Sequence, residues 1–313
     1  MSDSGSLVAA FPASSPPKRL LSLGAAVLDT IYRVEEIPAA PTKVLPTDCA
    51  QIGSGMASSA AAAAAKLGAY ARVWGRVGAD LAGRQYLDDL AAAGVDVSQV
   101  RVADGARTAM STILVDRRGA ALVVSYYDPK LGADAGWLPL HELAGFDFVL
   151  ADTRWPEGSA ALLEAARARG VPSLLDADIA PREIVARLLP LASHTVFSES
   201  GLLQFTGAAD IPAALSEAAR RASGFLGATA GERGFYWLDG GAVRRVPAPR
   251  VEAVDTLAAG DVFHGAFALM LAEGHGTEAA ARFACAAASL KCARFGGRLG
   301  APSRDDVEAA LRG

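Results

Sequence analysis

Strand-like and helix-like segments alternate regularly through the second half of this chain. Short apolar runs typical of buried strands are separated by longer runs with the 3.6-residue period of helices. The predicted strands span 146–151, 173–175 and 194–197, and the predicted helices span 159–169 and 182–189. Strands joined by helices at this spacing pair in parallel and carry helices on both faces. The pattern therefore predicts an α/β fold of three layers around a mainly parallel sheet.

The same pattern continues beyond this region. A helix is predicted at 213–222 and a strand at 224–228, followed by a hairpin around 239–241. Near the start of the chain, residues 20–29 read as one buried strand that ends in small residues and a carboxylate, Asp29. Because ligands bind at strand ends in open α/β sheets, Asp29 is a candidate ligand contact as well as an ordinary turn residue.

Short strands interrupt the alternating pattern in the first half. The segments 44–52, 108–115 and 120–126 have the composition of short antiparallel strands, and the last two flank a hairpin turn. They predict a small sheet that covers the site, built from about residues 32–52 and 106–127.

Length and composition fit one α/β domain with an appendage. The chain has 313 residues, of which 51% are hydrophobic, so it can bury a large core. Residues 1–18 are predicted to be a disordered extension and residues 19–313 the folded domain. The net charge of −4 gives no basic excess, which excludes nucleic acid as an expected partner. No apolar run has the length needed to cross a membrane.

The chain has three widely spaced cysteines, Cys49, Cys285 and Cys292. Their odd number and spacing favour reduced, mostly buried thiols in a cytoplasmic protein, and they predict no zinc site.

Small residues precede a predicted helix near the C-terminus. Ala258, Ala259 and Gly260 keep side chains away from the turn, and an apolar periodic run follows from Val262. Backbone N–H groups and the positive end of the helix dipole suit such a turn to phosphate or to developing negative charge. Asp261 lies in the first helical turn, where it is either a helix cap or a group that faces a substrate.

The run Asp255-Thr-Leu-Ala-Ala-Gly-Asp261 resembles the C-terminal signature of the ribokinase-like (PfkB) sugar kinases. The resemblance implies that the chain has that family's three-layer αβα fold with a small β-sheet lid, and that it uses ATP and Mg²⁺. It implies that Asp261 is the general base and that the amides of residues 258–261 form the anion hole. Ala258 stands where the family more often has Gly.

Further matches cover the chain from about Arg19. The run from Gly53 resembles the family's first signature, and the run from Thr229 resembles its nucleotide-binding segment. The residues that the resemblance assigns to the sugar are Asp29, Gly53, Gly55 and Ser59. Those that it assigns to the nucleotide are Thr229, Gly231, Gly234, Thr256 and Gly297. The Gly296–Gly297 backbone is also expected to approach either the nucleotide or a monovalent cation.

The metal-binding motif of the family is altered here. Ser198 and Gly201 replace its Asn and Glu, so any metal role falls to Glu199, through water. Asp176 and Asp178 follow a strand and either orient metal or phosphate or cap a loop. His264 is expected to be a packed or hydrogen-bonded residue rather than a catalyst.

Several longer runs resemble the bacterial 6-deoxy-6-sulfofructose kinases. They include Val149–Trp155, Leu175–Ile179 and Leu290–Arg298. In those enzymes the positions of Arg154 and Lys43 bind the sulfonate. Ser125 stands where they have an Asn.

The resemblance implies phosphorylation of 6-deoxy-6-sulfofructose at the 1-hydroxyl. Because Arg154 and Lys43 suit other anions too, the alternatives are fructose 6-phosphate and 2-keto-3-deoxygluconate, with fructose and ribose as neutral acceptors. A catalytically silent sugar or nucleotide sensor is a further alternative, which the intact Asp261 disfavours. The family also implies a homodimer through the lid.

Overall fold

The computed structural model describes residue 11 and residues 15–312. Within them the strands are β1 (Arg19–Leu23), β2 (Val27–Arg33), β3 (Asp48–Ser54), β4 (Tyr70–Trp74), β5 (Arg76–Gly78), β6 (Val95–Asp96), β7 (Arg101–Ala103), β8 (Ala109–Val115), β9 (Ala121–Tyr126), β10 (Phe148–Asp152), β11 (Ser173–Ala177), β12 (His194–Ser198), β13 (Phe225–Thr229), β14 (Phe235–Asp239) and β15 (Ala242–Val246). The α-helices are α1 (Met56–Lys66), α2 (Leu81–Ala92), α3 (Pro156–Arg169), α4 (Arg182–Leu188), α5 (Glu199–Thr206), α6 (Ile211–Ala219), α7 (Ala259–Ala272), α8 (Thr277–Cys292) and α9 (Arg304–Arg312).

The alternating pattern forms a large central sheet, as predicted. Its strand order is β15-β14-β13-β12-β11-β10-β1-β4-β6, and only the β13–β14 and β14–β15 pairs within it are antiparallel. Strands β10 and β11 are buried along their whole length because helices cover both faces. One face packs against α3 to α6 and the other against α1, α7, α8 and α9.

The prediction of one strand at 20–29 was wrong. The first strand ends at Leu23, and β2 begins at Val27 in a different sheet. Gly24 permits the break because a Cβ there would lie 2.1 Å from the carboxylate of Asp152. Asp29 therefore lies within β2 rather than at the end of a central strand.

The small sheet has the order β3-β2-β8-β9. The β2–β3 and β8–β9 pairs are antiparallel, but β2 and β8 pair in parallel, which corrects the prediction of antiparallel strands alone. The strand predicted at 44–52 begins later, at Asp48, since Pro46 cannot donate to a ladder.

Most of the predicted extension at residues 1–18 lies outside the described residues. Phe11 is described: its side chain is buried against Phe283, and its carbonyl accepts a hydrogen bond of 2.6 Å from Arg304 Nη1. All three cysteines are free thiols, but Cys49 is exposed, so the expectation of mostly buried thiols holds for Cys285 and not for Cys49. Among the described residues, no helix combines the length and hydropathy that a membrane span requires.

Candidate active site

A cavity of about 420 Å³ opens between the edge of the central sheet and the small sheet. It lies at the carboxyl ends of the parallel strands, where open α/β sheets bind ligands. The central sheet and its loops contribute Arg154, Asp176, Asp178, Ser198, Thr229 and the turn at 256–261. The small sheet contributes Asp29, Ser54, Ser111 and Ser125.

The turn before α7 forms one end of this cavity. Ala258 adopts the left-handed conformation, with φ of 61°. Gly260 and Asp261 follow in the first helical turn, whose amides have no partner inside the helix. A Cβ on Gly260 would meet no atom within 4 Å, so the turn faces open space. The amide of Ala259 is different, because it already donates to the Thr256 carbonyl at 3.2 Å.

Asp261 faces the cavity in a strongly acidic environment. Burial raises the pKa of Asp261 well above its usual range, and the neighbouring carboxylates Asp176, Asp178, Asp152 and Asp29 raise it further. The carboxylate is therefore poised to take up a proton, which suits a general base.

His264 lies one turn along α7 from Asp261 and is buried beside it. Its Nδ1 is 3.0 Å from Asp176 Oδ2, without the angle of a hydrogen bond. Donor atoms of Asp176, Asp261 and His264 lie within 4.8 Å of one another. The expectation of a packed histidine thus holds for its burial, but the side chain also lines the cavity.

Asp178 and Arg154 lie side by side on the cavity wall. Arg154 Nη2 is 3.5 Å from Asp178 Oδ2, and Nη1 donates to the Ile179 carbonyl at 3.0 Å. Asp178 Oδ1 accepts a hydrogen bond of 2.8 Å from Ser198 Oγ. The main-chain N–H of Arg154 donates to Asp152 at 2.8 Å, which fixes the loop that carries the guanidinium.

Asp152 anchors this part of the cavity from beneath. Its carboxylate accepts hydrogen bonds from the amides of Ala25 at 2.7 Å and Ala57 at 3.2 Å. Burial raises its pKa to about 6 in spite of these bonds. The sequence reasoning missed Asp152 as a site-forming residue, although its place at the end of a buried strand was a usable signal.

The small sheet supplies hydroxyls and one carboxylate. The hydroxyls of Ser111 and Ser125 lie 2.8 Å apart. Burial raises the pKa of Asp29, while hydrogen bonds with Ser54 and Ser111 oppose the rise. These groups suit the recognition of several sugar hydroxyls.

Three residues of the first signature were assigned to the sugar, namely Gly53, Gly55 and Ser59. Gly55 lines the cavity and the other two do not. The φ of Gly55 is 103°, and a Cβ there would lie 2.3 Å from the Ala25 carbonyl, so only Gly fits. Ser59 is buried behind the wall, with its hydroxyl 3.2 Å from that of Ser54. Gly53 is held by backbone bonds to Asp89 and Arg298.

The residues assigned to the nucleotide do not all reach the cavity. Thr229 and Thr256 line it, whereas Gly231, Gly234 and Gly297 do not. Thr256 Oγ1 donates to the Gly119 carbonyl at 2.8 Å, which ties the signature turn to the β8–β9 hairpin.

The candidate metal ligands also separate. Glu199, in the first turn of α5, does not line the cavity, and its carboxylate is paired with Arg233. Asp176 and Asp178 face the cavity, so the oxygen donors that Mg²⁺ prefers are available there. Lys43 is exposed in the loop before β3 and does not line the cavity.

Comparison with known proteins identifies the family. The model of the pfkB family of carbohydrate kinases matches residues 17–304. The chain belongs to the pfkB family. This confirms the prediction of an ATP-dependent carbohydrate kinase, and a buried carboxylate beside an amide-lined turn suits phosphoryl transfer.

Relatives of this pfkB kinase cover nearly its whole length. It is 29% identical to ribokinase of Bacillus subtilis, over 94% of this chain and 99% of that one. It is 28% identical to an ATP-dependent ribose-1-phosphate kinase of Halopiger xanaduensis, over 94% and 98% of the two chains.

A solved structure is more similar still. A crystal structure from Agrobacterium tumefaciens, provisionally called a ribokinase, is 46% identical with a TM-score of 0.91, and the match covers 95% of this chain and 98% of that one. The predicted ribokinase-like fold, with its mainly parallel sheet and separate small sheet, is confirmed.

Proposed function

We propose that this pfkB kinase transfers the γ-phosphoryl group of ATP to the 1-hydroxyl of a ketose that carries an anion at its far end, with 6-deoxy-6-sulfofructose as the favoured acceptor. The observation that carries the proposal is Arg154, whose guanidinium lines the same cavity as Asp261. A planar guanidinium can hold two oxygens of a sulfonate, phosphate or carboxylate group.

In the proposed reaction, Asp261 accepts the proton of the sugar hydroxyl as its oxygen attacks the γ-phosphorus. The bond between that phosphorus and the bridging oxygen breaks, and ADP leaves with the bonding electrons. The amides of Gly260 and Asp261 stabilise the charge on the transferred group. Asp29 and its serine neighbours position the sugar, which brings the hydroxyl close to the base.

Asp176 and Asp178 are the residues that would hold Mg²⁺, directly or through water. When bound with ATP, the ion neutralises charge on the phosphates. Glu199 is left out of this proposal because it does not line the cavity.

Ribose is the second candidate acceptor. Asp178 partly neutralises Arg154, and Lys43 lies away from the cavity, so the positive charge available for an anionic substrate is smaller than the sequence resemblance implies. The relative from Bacillus subtilis is named for a neutral sugar, ribose.

Turnover of ATP with a panel of sugars tests these readings. The panel contains 6-deoxy-6-sulfofructose, fructose 6-phosphate, 2-keto-3-deoxygluconate, fructose and ribose, and kcat/KM is measured for each through ADP release. We expect the highest value for sulfofructose. A higher value for ribose would transfer the assignment to the second candidate, and a preference for another anionic sugar would retain the role of Arg154 but change the substrate.

Arg154→Ala separates an anion contact from a structural role. The Arg154 side chain is 33% exposed and forms an ion pair with Asp178. We therefore expect kcat/KM on anionic sugars to fall by about ten- to thirtyfold, which is less than the loss for a fully buried charge pair. Neutral sugars should change less than about threefold. Arg182→Ala, which removes an exposed arginine at the start of α4, is the matched control. Equal losses on charged and neutral sugars would show that Arg154 supports the fold.

We also propose that the small sheet forms a homodimer contact. Its outer strand, β9, is exposed along its whole length and carries Leu122, Val123, Val124 and Tyr126. An apolar edge strand of this kind favours pairing with another strand. Light scattering on the protein as it elutes from a size-exclusion column should give twice the chain mass. The Val124→Lys variant should give the mass of a single chain. A wild-type monomer would contradict the contact.

The cytoplasmic location remains our proposal. It is supported by three thiols that form no disulfide in the described structure, the state that a reducing compartment maintains.

A further inference from the structure

A lysine is completely buried beneath the phosphoryl-binding turn. Lys291 lies in the last turn of α8, and its side chain has 0% exposure. Lysine is almost never fully buried unless its charge is paired. Here the ammonium Nζ donates to the main-chain carbonyl of Asp255 at 2.6 Å and lies 3.2 Å from its Oδ2.

Asp255, the partner of Lys291, connects three segments. Its Oδ1 accepts a hydrogen bond of 2.8 Å from the amide of Leu257. Its Oδ2 accepts hydrogen bonds from the amides of Gly296 at 3.0 Å and Gly297 at 2.8 Å. Its own amide donates to the Cys292 carbonyl at 3.1 Å. The carboxylate therefore joins the end of α8, the glycine turn that follows and the first residues of the turn that leads to Asp261.

The Lys291 ammonium contacts oxygen atoms of one residue, Asp255. A main-chain carbonyl and a carboxylate are the ligands that a hard monovalent cation would also use. Burial lowers the pKa of Lys291, and Asp255 opposes that effect most strongly. Asp261 favours the charged form as well, as the last of the groups that raise the pKa of Lys291.

We propose that the Lys291 ammonium is a built-in monovalent cation that holds the phosphoryl-binding turn in place, so that turnover requires no K⁺ or NH₄⁺ from solution. This rests on the proposed phosphoryl transfer at residues 258–261. The expected cation near Gly296 and Gly297 is thus supplied by the chain itself. Lys291 acts through Asp255 and is a positioning residue.

The first test is the cation dependence of the wild-type enzyme. Turnover is measured in KCl, NH₄Cl and tetramethylammonium chloride at equal ionic strength, since tetramethylammonium is too large for a closely coordinated site. We expect kcat to differ by less than about twofold among the three salts. Activation by K⁺ of more than about fivefold over tetramethylammonium would overturn the proposal.

The second test removes the ammonium in two ways. Lys291→Ala leaves room for an ion beside the Asp255 oxygens, whereas Lys291→Met keeps the volume but not the charge. Both variants should lose at least about tenfold in kcat in tetramethylammonium chloride. K⁺ or NH₄⁺ should restore Lys291→Ala by at least about fivefold and should leave Lys291→Met unchanged. Lys66→Ala removes an exposed lysine from the last turn of α1 and is the matched control.

A third measurement needs no sugar and no activity. Loss of Lys291 leaves the buried carboxylate of Asp255 without a counter-charge, and a cation that enters the vacated place supplies that charge again. The thermal midpoint of Lys291→Ala should therefore rise by about 2 °C or more in KCl relative to tetramethylammonium chloride, because ligands that bind the folded state stabilise it. Wild type and Lys291→Met should show no such difference.

The outcomes separate the two proposals. If no sugar in the panel is phosphorylated but the midpoint of Lys291→Ala responds to K⁺, the substrate assignment fails and the cation role stands. If the Lys291→Ala variant folds and neither its activity nor its thermal midpoint changes with K⁺, the cation role is overturned. Should Lys291→Ala not fold, the wild-type salt series and the turnover of Lys291→Met still decide the question.

Discussion

The two sheets of this kinase differ in what surrounds them. Strands β10 and β11 of the central sheet are buried along their whole length, while β9 of the small sheet is exposed along its whole length. In the cavity between the two sheets, Asp261 and the amide-lined turn come from the helix packed on the central sheet, and Asp29 and its serine neighbours come from the small sheet.

This contrast indicates a division of roles. The groups proposed to act on the transferred phosphoryl group are held by a closely packed core, which keeps them in a fixed geometry. The groups proposed to contact the sugar hydroxyls lie on strands with little packing on their outer side, whereas Arg154, the proposed anion contact, lies on a loop of the central sheet. Between the two, Thr256 donates a hydrogen bond to Gly119 in the hairpin of the small sheet. We therefore expect variants of Asp261 and its turn to affect kcat and variants on the small sheet to affect KM.

The largest effect is expected from Asp261→Asn. An amide cannot accept the hydroxyl proton, so kcat should fall by about 10²- to 10⁴-fold, with the KM for sugar changed less than about threefold. Steady-state kinetics with the preferred sugar measure both. A decrease below about tenfold, equal to ~1.4 kcal/mol, would exclude Asp261 as the base.

Gly260→Val should have the next largest effect. The branched side chain would extend into the open space in front of the amides, and we expect kcat to fall about 10²-fold while ATP affinity changes little. Titration calorimetry measures the affinity. Gly145→Val, at another glycine with open space around it, is the control. Normal turnover of Gly260→Val would mean that the turn does not bind the phosphoryl group.

Asp29→Asn tests the small sheet. It removes the charge that sugar hydroxyls would meet and keeps the volume of the side chain. We expect a loss of about tenfold in kcat/KM, mainly through KM, because hydrogen bonds to a charged group contribute about 1.5–3 kcal/mol. An equal decrease in kcat, with KM unchanged, would break the proposed division between the two sheets.

The smallest effect concerns stability. The pKa of Asp261 is raised in the folded protein, so the folded state retains a proton that the unfolded chain loses above its ordinary pKa of 3.8. The charged form is thus unfavourable in the fold, and this cost is absent at low pH and grows as pH rises toward the folded-state pKa. Without metal or ATP, Asp261→Asn should have a higher thermal midpoint than wild type at pH 8 and an equal one at pH 3.5. Calorimetry across this range provides the measurement, and a gap that shrinks with rising pH would contradict the raised pKa.

Most of the second half of the fold could be predicted from the sequence within a few residues, although α5 and α9 were not predicted. Its strands are buried on both faces, so each forms an apolar run, and the helices between them keep a clear period. The turn before Asp261 could also be predicted, because small residues before a helix are a local pattern. Arg154 also lines the cavity, shortly after the end of β10, but its assignment to the substrate rested on the family resemblance and stays a prediction.

Features that depend on distant contacts could not be predicted. Residues 20–29 form one apolar run, and nothing in that run marks the change from one sheet to another at Gly24. The parallel pairing of β2 and β8 joins segments about 80 residues apart in the sequence. Lys43 matches a family position and Glu199 lies inside an altered family motif, but the exposure of Lys43 and the ion pair of Glu199 are set by their tertiary surroundings. The burial of Lys291 against Asp255 likewise leaves no local sequence pattern.

The separate small sheet also bears on how such kinases diverge. Asp29, Ser111 and Ser125 lie on strands that share no hydrogen-bonded ladder with the central sheet. If the proposed function is correct, a mutation among them changes the contacts to the acceptor and leaves Asp261 and its amide-lined turn in place. Substitutions on the small sheet can therefore change the acceptor while selection conserves the residues of the central sheet. After gene duplication, one copy can acquire a new acceptor without first losing its ability to phosphorylate.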